Sequence, residues 1–353
     1  MVGNLTPSAQ LLKTVMKKLT TFHNLTYQEA YGIIHALACN ELTDAQIAGF
    51  LVALLMKGPT IDEIAALARA MRDHCKPIRP RVTGELLDTC GTGGGLETFN
   101  VSTANAIAAA AAGIPVAKHG SRSISGRSGS ADVLEALGVE IDLTPEQAQE
   151  LIERVGVSFL YAPNFHPVMN RVWGPENQLG IKTIFFTIMG PLINPADARR
   201  HILGVYKPEL VGMIGEVLAK LNFKHALVVH GVDGYDEISL VGKTMVAEVK
   251  EGKIERYEIT PEELGFRRCS PEDIGGGSPE FNAKVIRNIF EGKEHGPKRE
   301  FLMLNLAGAL YVGGKVSSLA DGAELAKEII DSGKAQKKLE EFVKASKEVK
   351  GKK

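Results

Sequence analysis

The sequence is short of the residues that mark several common classes of protein. Only four cysteines occur, Cys39, Cys75, Cys90 and Cys269, with no CxxC and no close pair. That spacing excludes a zinc-ribbon ligand set and a disulfide framework, and leaves free thiols suited to a reducing cytosol. An excess of either charge is also missing: 41 lysines and arginines face 42 aspartates and glutamates, a formal net charge of -1. Binding to nucleic acid or to an anionic membrane needs a basic face that this balance does not supply, so neither partner is expected. The one local exception, the lysine-rich stretch 347–353, reads as a solvated helix end. Long apolar runs are absent. The most apolar stretch, 104–116, is rich in alanine and falls short of the roughly 20 residues of a membrane span. Residues 1–10 lack the basic-then-apolar order of a secretory signal, so a cytoplasmic protein is expected.

What is present divides the chain in two. The 353 residues suffice for two modest domains, or for one large α/β domain with an accessory piece. The first 75 or so read as helical. Apolar residues recur at helical spacing over 9–19, and Thr26 with Glu29 forms a capping-box pattern. Thr43-Asp44-Ala45-Gln46 opens a helix over 47–56 that Gly58 and Pro59 stop. Thr60-Ile61-Asp62-Glu63 opens another, which ends near His74, and Pro77 and Pro80 then mark a linker. After it the rhythm changes. Short apolar strands at 86–89, 115–118, 159–162 and 226–230 alternate with helices at 102–112, 130–137 and 145–155. Such alternation predicts an α/β fold with a mostly parallel sheet covered by helices. Residues 245–250 and 253–259, split by Glu251-Gly252, predict a β-hairpin, and 282–310 and 320–346 are again helical.

Three segments carry chemistry. Asp88-Thr89-Cys90-Gly91-Thr92-Gly93-Gly94-Gly95 follows a strand and leads through Asn100 into a helix that begins near Ser102 and Thr103. Glycines there let backbone approach a phosphate, and the helix offers unpaired N–H groups with the positive end of its dipole. The loop has neither the GKS/GKT of a nucleotide P-loop nor GxGxxG. The second segment, 118–138, combines Lys118, Arg122 and Arg127 with His119 and five serines, a set that neutralises and wraps phosphate. The third, Asp233-Gly234-Tyr235-Asp236-Glu237, places adjacent carboxylates just past a strand, where a hard cation such as magnesium binds. Alone, each has a bland reading as a tight turn, a surface loop or a solvated acidic turn. Together they imply a magnesium-bound, phosphorylated substrate without naming the reaction. His74, His201, His225 and His230 lack metal-like spacing and read as structural. Trp173 reads as core or interface packing, with the wall of a substrate tunnel as the alternative.

These segments, with Gly190-Pro191 of the stretch 190–196 and the late Asn282-Ala283, Asn305 and Ser332-Gly333-Lys334-Ala335, resemble the anthranilate phosphoribosyltransferases over about residues 11–342. The string 128–138 is the most specific part of the match. The resemblance implies a small helical domain, 1–79 completed by about 166–197, hinged to a large α/β domain of 80–165 and 198–353. It implies a site between them and a homodimer. The reaction implied is transfer of phosphoribose from phosphoribosyl pyrophosphate to the amine of anthranilate, with Mg2+ as cofactor. Carried over by position, Gly91, Thr92, Gly93, Gly94, Thr98, Asn100, Ser102, Thr103, Lys118 and Ser130 would hold the donor. Ser102, Asp236 and Glu237 would bind the metal. Gly91, His119, Ser121, Arg122, Glu176, Gly190 and Pro191 would line the acceptor site, and no single side chain is marked as catalytic. The chain departs from the family pattern in three places. Gly95 stands where an aspartate is usual, in a loop one residue shorter; Ser121 replaces an asparagine; and Glu176 aligns with an arginine that meets the anthranilate carboxylate. Two carboxylates facing each other repel, so either Arg171 or Arg122 supplies the missing cation or the acceptor is a different aromatic amine or heterocycle.

Overall fold

The computed structural model describes residues 6–123 and 126–351; Ile124 and Ser125 of the cationic loop and the last two lysines lie outside the described residues. The chain opens with four helices, α1 (Pro7–Thr20), α2 (Tyr27–Ala38), α3 (Asp44–Lys57) and α4 (Ile61–Asp73). Threonine caps begin α2, α3 and α4 at Thr26, Thr43 and Thr60, each with a reciprocal bond from the third residue on. Glu63 does more than cap. Its buried carboxylate accepts from Leu25 N at 2.7 Å and pairs with the buried Lys57 ammonium at 2.7 Å, so it ties three helix ends together. Apolar faces of these helices, among them Ile33, Phe50 and Leu67, form a core with Val168, Val172, Phe185 and Leu192 from much later in the chain.

The rest is a seven-stranded sheet with helices on both faces. In chain order its elements are β1 (Leu87–Asp88), α5 (Val101–Ala111), β2 (Val116–Gly120), α6 (Ser130–Leu137), α7 (Pro145–Val155) and β3 (Val157–Tyr161). Three helices follow: α8 (Ala162–Phe165), whose Phe165 packs in the core of the α/β part, and α9 (Pro167–Leu179) and α10 (Ile184–Thr187), which return to the helical layer. There follow β4 (Arg200–Gly204), α11 (Glu209–Lys220), β5 (His225–Gly231), the hairpin β6 (Thr244–Lys250) and β7 (Lys253–Ile259), and α12 (Pro279–Phe290), α13 (Pro297–Val312), α14 (Leu319–Asp331) and α15 (Lys334–Gly351). Strand order is β3-β2-β1-β4-β5-β6-β7. The first five are parallel and the hairpin is antiparallel. The α/β expectation with a mostly parallel sheet is met. The strand β4 was not anticipated: Arg200 and His201 interrupt its apolar pattern, yet both ends of the strand are held by parallel pairing to β1 and β5. The predicted long helix over 282–310 is two helices, broken around Gly292, Gly296 and Pro297.

Order in the sheet reverses at β1, which pairs with β2 on one side and β4 on the other. A crevice opens beyond the carboxyl ends of such neighbours, and ligands of open α/β sheets bind there. The loops after β1, β2, β4 and β5 all end at this edge. Among the described residues no helix is long and apolar enough to cross a membrane, and all four cysteines are free thiols.

Candidate active site

The loop after β1 is organised by a buried acid. One oxygen of Asp88 accepts from Thr89 N (2.7 Å), Cys90 N (3.0 Å) and His119 N (3.2 Å), and the other accepts from Asn194 Nδ2 (2.7 Å). The chain is thereby turned sharply out of the strand. Gly93 and Gly94 then take φ of 65° and 88°, a left-handed conformation that side chains resist. Thr92 is stitched to β4: its N donates to Gly204 O at 2.9 Å, and its Oγ1 accepts from Tyr206 N at 3.1 Å.

Asn100 precedes α5, and its side chain does not cap the helix. It turns instead to the second loop. Ser128 Oγ donates to its Oδ1 at 2.8 Å, its Nδ2 donates to Ser128 O at 3.0 Å, and Asn282 Nδ2 of α12 donates to the same Oδ1 at 2.8 Å. The first turn of α5, with Ser102 and Thr103, is left without a side-chain cap, and an uncapped helix start attracts anions. Thr103 Oγ1 is buried without a partner. Thr98 pairs with Gly275 across an isolated bridge and so closes one side of the cradle. Lys118, on β2, is 3% exposed and directs its Nζ to Thr89 Oγ1 at 3.3 Å, which places a fixed cation beside the glycine loop. Ser130 is the first residue of α6, at the exit of the second loop.

Asp236 and Glu237 follow β5 and are half-buried. Burial raises both carboxyls above the usual range, Glu237 far above it, with Asp236 adding repulsion and Lys118 pulling it back. Two adjacent acids held at such cost, next to an amide-lined loop, fit a hard dication that completes its shell with phosphate oxygens and water. Among the described residues no group of three acidic, histidine or cysteine side chains forms a closed metal cage.

The acceptor-side residues divide. His119 is 2% exposed, and its Nδ1 lies 3.0 Å from Gly190 O, in the short turn that Gly190 and Pro191 begin. Its Nε2 faces His166 Nε2 at 3.1 Å with the rings edge to face. A carbonyl accepts only, so His119 Nδ1 carries the proton, His119 Nε2 accepts, and His166 Nε2 donates. Burial holds both imidazoles neutral, His166 well below its ordinary pKa. Nδ1 of His166 is left as a buried lone pair without a partner. His166 was not singled out from the sequence; its position directly before Pro167 at a helix start is the only local signal.

Other expectations are not realised as drawn. Arg122 does not face the cradle: its guanidinium bonds Asp132 Oδ1 (3.0 Å) and both oxygens of Glu135 (2.5 and 2.7 Å), and it lies over the Tyr161 ring. Ser121 Oγ bonds the next carbonyl, Arg122 O, at 3.0 Å. Arg171 bonds Leu42 O at 2.8 Å and lies 3.7 Å from Asp44, at the start of α3. Glu176 is 3% exposed, on the buried face of α9 with Val168 and Val172. One of its oxygens accepts the Thr183 amide, the other has no partner, and burial raises its pKa. Trp173 is exposed on α9 and packs edge-on against Phe186. The four histidines read as structural all find protein partners: His201 on Cys90 O, His225 on Glu248, His230 on Val205 O and His74 on His35.

Known proteins share this architecture. The model of the glycosyl transferase family α/β domain matches residues 83–336, and that of the family's helical bundle domain matches residues 11–75. An anthranilate phosphoribosyltransferase of Acetivibrio thermocellus is 51% identical over 94% of this chain and 96% of its own length. One from Petrotoga mobilis is 49% identical over 93% and 95%. The crystal structure of anthranilate phosphoribosyltransferase from Thermus thermophilus superposes with a TM-score of 0.87 at 42% identity, covering 94% of this chain and 99% of that one. The Saccharomyces cerevisiae enzyme in complex with phosphoribosyl pyrophosphate and magnesium gives 0.86 at 26% identity, covering 96% and 98%. With its helical bundle, its α/β domain and its glycine loop at the reversal of the sheet, the chain belongs to the glycosyl transferase family and, within it, to the anthranilate phosphoribosyltransferases.

Proposed function

We propose that this chain transfers phosphoribose from phosphoribosyl pyrophosphate to the amine of anthranilate, releases pyrophosphate, and serves tryptophan synthesis. The observation that carries the donor side is the convergence of Gly91–Gly94, the uncapped start of α5, the Lys118 ammonium and the Asp236-Glu237 pair at one edge of the sheet. In this reading the loop amides, Thr92, Thr98, Asn100, Ser102, Thr103, Lys118 and Ser130 hold the donor, and Ser102, Asp236 and Glu237 hold magnesium. The Saccharomyces cerevisiae relative, crystallised with phosphoribosyl pyrophosphate and magnesium, supports that assignment, and its complex with 4-fluoroanthranilate supports an aromatic amine as acceptor.

The bond from the anomeric carbon to pyrophosphate breaks, a bond from that carbon to the acceptor nitrogen forms, and the nitrogen gives up one proton. Bound magnesium supplies positive charge toward the departing pyrophosphate. Lys118 adds a fixed charge on the same side, already desolvated and needing no reorganisation as the bond breaks. Neutral His119, anchored to Gly190 O, gives the acceptor side an oriented polar wall without a charge. The chain's part is to hold the amine in line with the anomeric carbon, and proximity of this kind contributes heavily to rate.

A second acceptor class has one observation in its favour. Glu176 is buried with an unpartnered oxygen, and both Arg122 and Arg171 are engaged elsewhere. If Glu176 borders the acceptor, a neutral or cationic amine is preferred over a carboxylate. Pyrophosphate release with magnesium and phosphoribosyl pyrophosphate, comparing anthranilate with a panel of aromatic amines and bases, decides. Turnover that depends on anthranilate is the expected result, and turnover only with another acceptor would overturn the assignment.

The division into 1–79 with 166–197 and 80–165 with 198–353 is part of the same proposal. Val168, Val172 and Phe185 packing among α1–α4 support it. A homodimer is supported by exposed Val52, Leu55 and Met56 on α3, beside exposed Trp173 on α9; light scattering at micromolar concentration tests it. The free thiols suit a cytoplasmic location.

A further inference from the structure

One buried cation of the helical layer reaches across to the candidate active site. Arg72 stands in the last turn of α4, and its side chain is 8% exposed. Its Nε donates to Leu192 O, 120 positions on, at 2.9 Å. Nη1 lies 3.2 Å from Asp197 Oδ1, and the guanidinium carbon lies 5.2 Å from the centroid of the Phe223 ring. As a device for stability this is a poor arrangement. Among the described residues neither Nη1 nor Nη2 makes a hydrogen bond, so a buried charge rests on one aligned bond and an ion pair. Asp197 does not depend on that pair: Arg199 holds its other oxygen through Nε at 3.0 Å and Nη2 at 2.9 Å.

What the bond to Leu192 O fixes is the short turn Gly190–Leu192. Leu192 N donates to Met189 O at 2.9 Å and Ile193 N to Gly190 O at 3.3 Å, so the turn moves as a unit. Its Gly190 carbonyl lies 3.0 Å from His119 Nδ1 and accepts the ring proton. A Cβ built on Gly190 would meet no described atom within 4 Å, so the turn borders open space. The chain beyond it is anchored separately: Asn194 Nδ2 donates to Asp88 Oδ2 at 2.7 Å and to Ala117 O at 2.8 Å. The donor loop thus has its own tie through Asp88, while the Gly190 turn is tied to the helical layer by Arg72. We propose that Arg72 is a positioning residue for the acceptor side: it fixes the Gly190–Leu192 turn and, through Gly190 O, the placement and tautomer of His119. The inference rests on the phosphoribosyl reading above and deepens it, because it makes acceptor binding, and not donor binding, depend on a side chain of α4.

The test compares full-length wild type, Arg72→Met, Arg72→Lys and Arg199→Met. Two readouts are taken: steady-state kinetics with magnesium, phosphoribosyl pyrophosphate and anthranilate, and exchange of the His119 ring proton by NMR without substrate. In Arg72→Met the anthranilate KM should rise about tenfold while the phosphoribosyl pyrophosphate KM stays within about twofold, since a group misplaced from a distance loses its substrate contact. The His119 ring proton should exchange roughly tenfold faster, because its acceptor is no longer held. Arg72→Lys, with one ammonium in place of the planar fork, should show the same split at about threefold, and it carries the test if Arg72→Met does not fold. Arg199→Met leaves the bond to Leu192 O in place and should move neither KM beyond about twofold. Equal rises in both KM values, an unmoved anthranilate KM, a His119 ring proton like that of wild type in the Arg72 variants, or the same split in Arg199→Met would each overturn the positioning role. A wild type without anthranilate-dependent turnover would overturn the phosphoribosyl reading instead, and the ring proton would still decide whether Arg72 places His119.

Discussion

Two loops at the same edge of the sheet each lie against a carboxylate, and the electrostatics of the two acids are opposite. In the second loop Asp132 accepts from Ser123 N (3.0 Å) and Gly129 N (2.8 Å) and pairs with Arg122. Burial alone would raise it, but those amides and the guanidinium hold it below the usual carboxylate range. In the first loop the Gly95 backbone packs against Asp236, and burial lifts its carboxyl above that range although nearby amides pull it down. Asp132 is a satisfied clamp that shapes its loop permanently. Asp236 is held in a place that costs stability, next to a second acid, and strain of that kind gathers where a ligand is to relieve it. The hydrogen bonds of Asp132 satisfy it in place, whereas Asp236 lies buried beside Glu237 with its carboxyl raised, as the proposed metal role would need.

The largest effect that would break this contrast is on turnover. Asp236→Asn should lower kcat/KM on the order of a hundredfold or more if Asp236 holds magnesium as proposed. The melting temperature of the metal-free variant should hold or rise. The sign follows from linkage: a carboxyl raised on folding is penalised when ionised at neutral pH, so a neutral isostere removes a penalty. A clear fall in melting temperature would make Asp236 a clamp like Asp132. Asp132→Ala should do the reverse, costing about 2 kcal/mol in denaturant melts through two amides left unpaired and one Arg122 bond lost. Its folded pKa is lowered, so the wild-type contribution is present above the ordinary carboxylate range and lost as pH falls.

A third acid sharpens the comparison away from the site. Glu248 on β6 accepts from His225, Tyr257 and Tyr311, each at 2.8 Å. Although burial opposes it, these bonds hold its pKa down to about 2. Stability from this cluster is complete above the unfolded value near 4.5 and lost between there and about pH 2, worth on the order of 2 kcal/mol. Acid unfolding of Glu248→Gln should lack that component. The smallest effect concerns the strap between the two loops. Glu97 pairs with Arg127 at 3.5 Å, both well exposed, and Glu97→Gln should shift stability by less than about 0.5 kcal/mol. A larger change would mean that the loops act as one unit.

The meeting of the glycine loop and the acidic pair at one edge of the sheet was legible because each segment is contiguous. Glycines 91, 93 and 94 follow a strand, Asp236 and Glu237 follow another, and local rules for loops and strand ends suffice to place them together. The acceptor side was not, because its geometry depends on pairs far apart in the chain. His119 meets His166 across 47 positions. Arg122 was expected to face a substrate, and the sequence gives no sign that Asp132 and Glu135, one helix on, would engage its guanidinium instead. Glu176 was placed by alignment alone; its apolar face on α9 and its bond to Thr183 depend on how that helix rolls against α3. Among the strands, β4 was missed because a histidine and an arginine open it, and His201 is buried only through its bond to Cys90 O.

The last helix has a consequence for how the protein comes to exist in a cell. α15 packs on α5 and α7. Its Ser346 Oγ accepts from Glu140 N, and its Val349 carbonyl accepts from Gln147 Nε2. α5 is the helix whose first turn carries Ser102 and Thr103. During synthesis the helical layer and the sheet emerge before α15, so the scaffold behind α5 lacks that cover until α15 has left the ribosome. The scaffold behind α5 is therefore assembled late, and a chain lacking α15 should expose the apolar faces of α5 and α7.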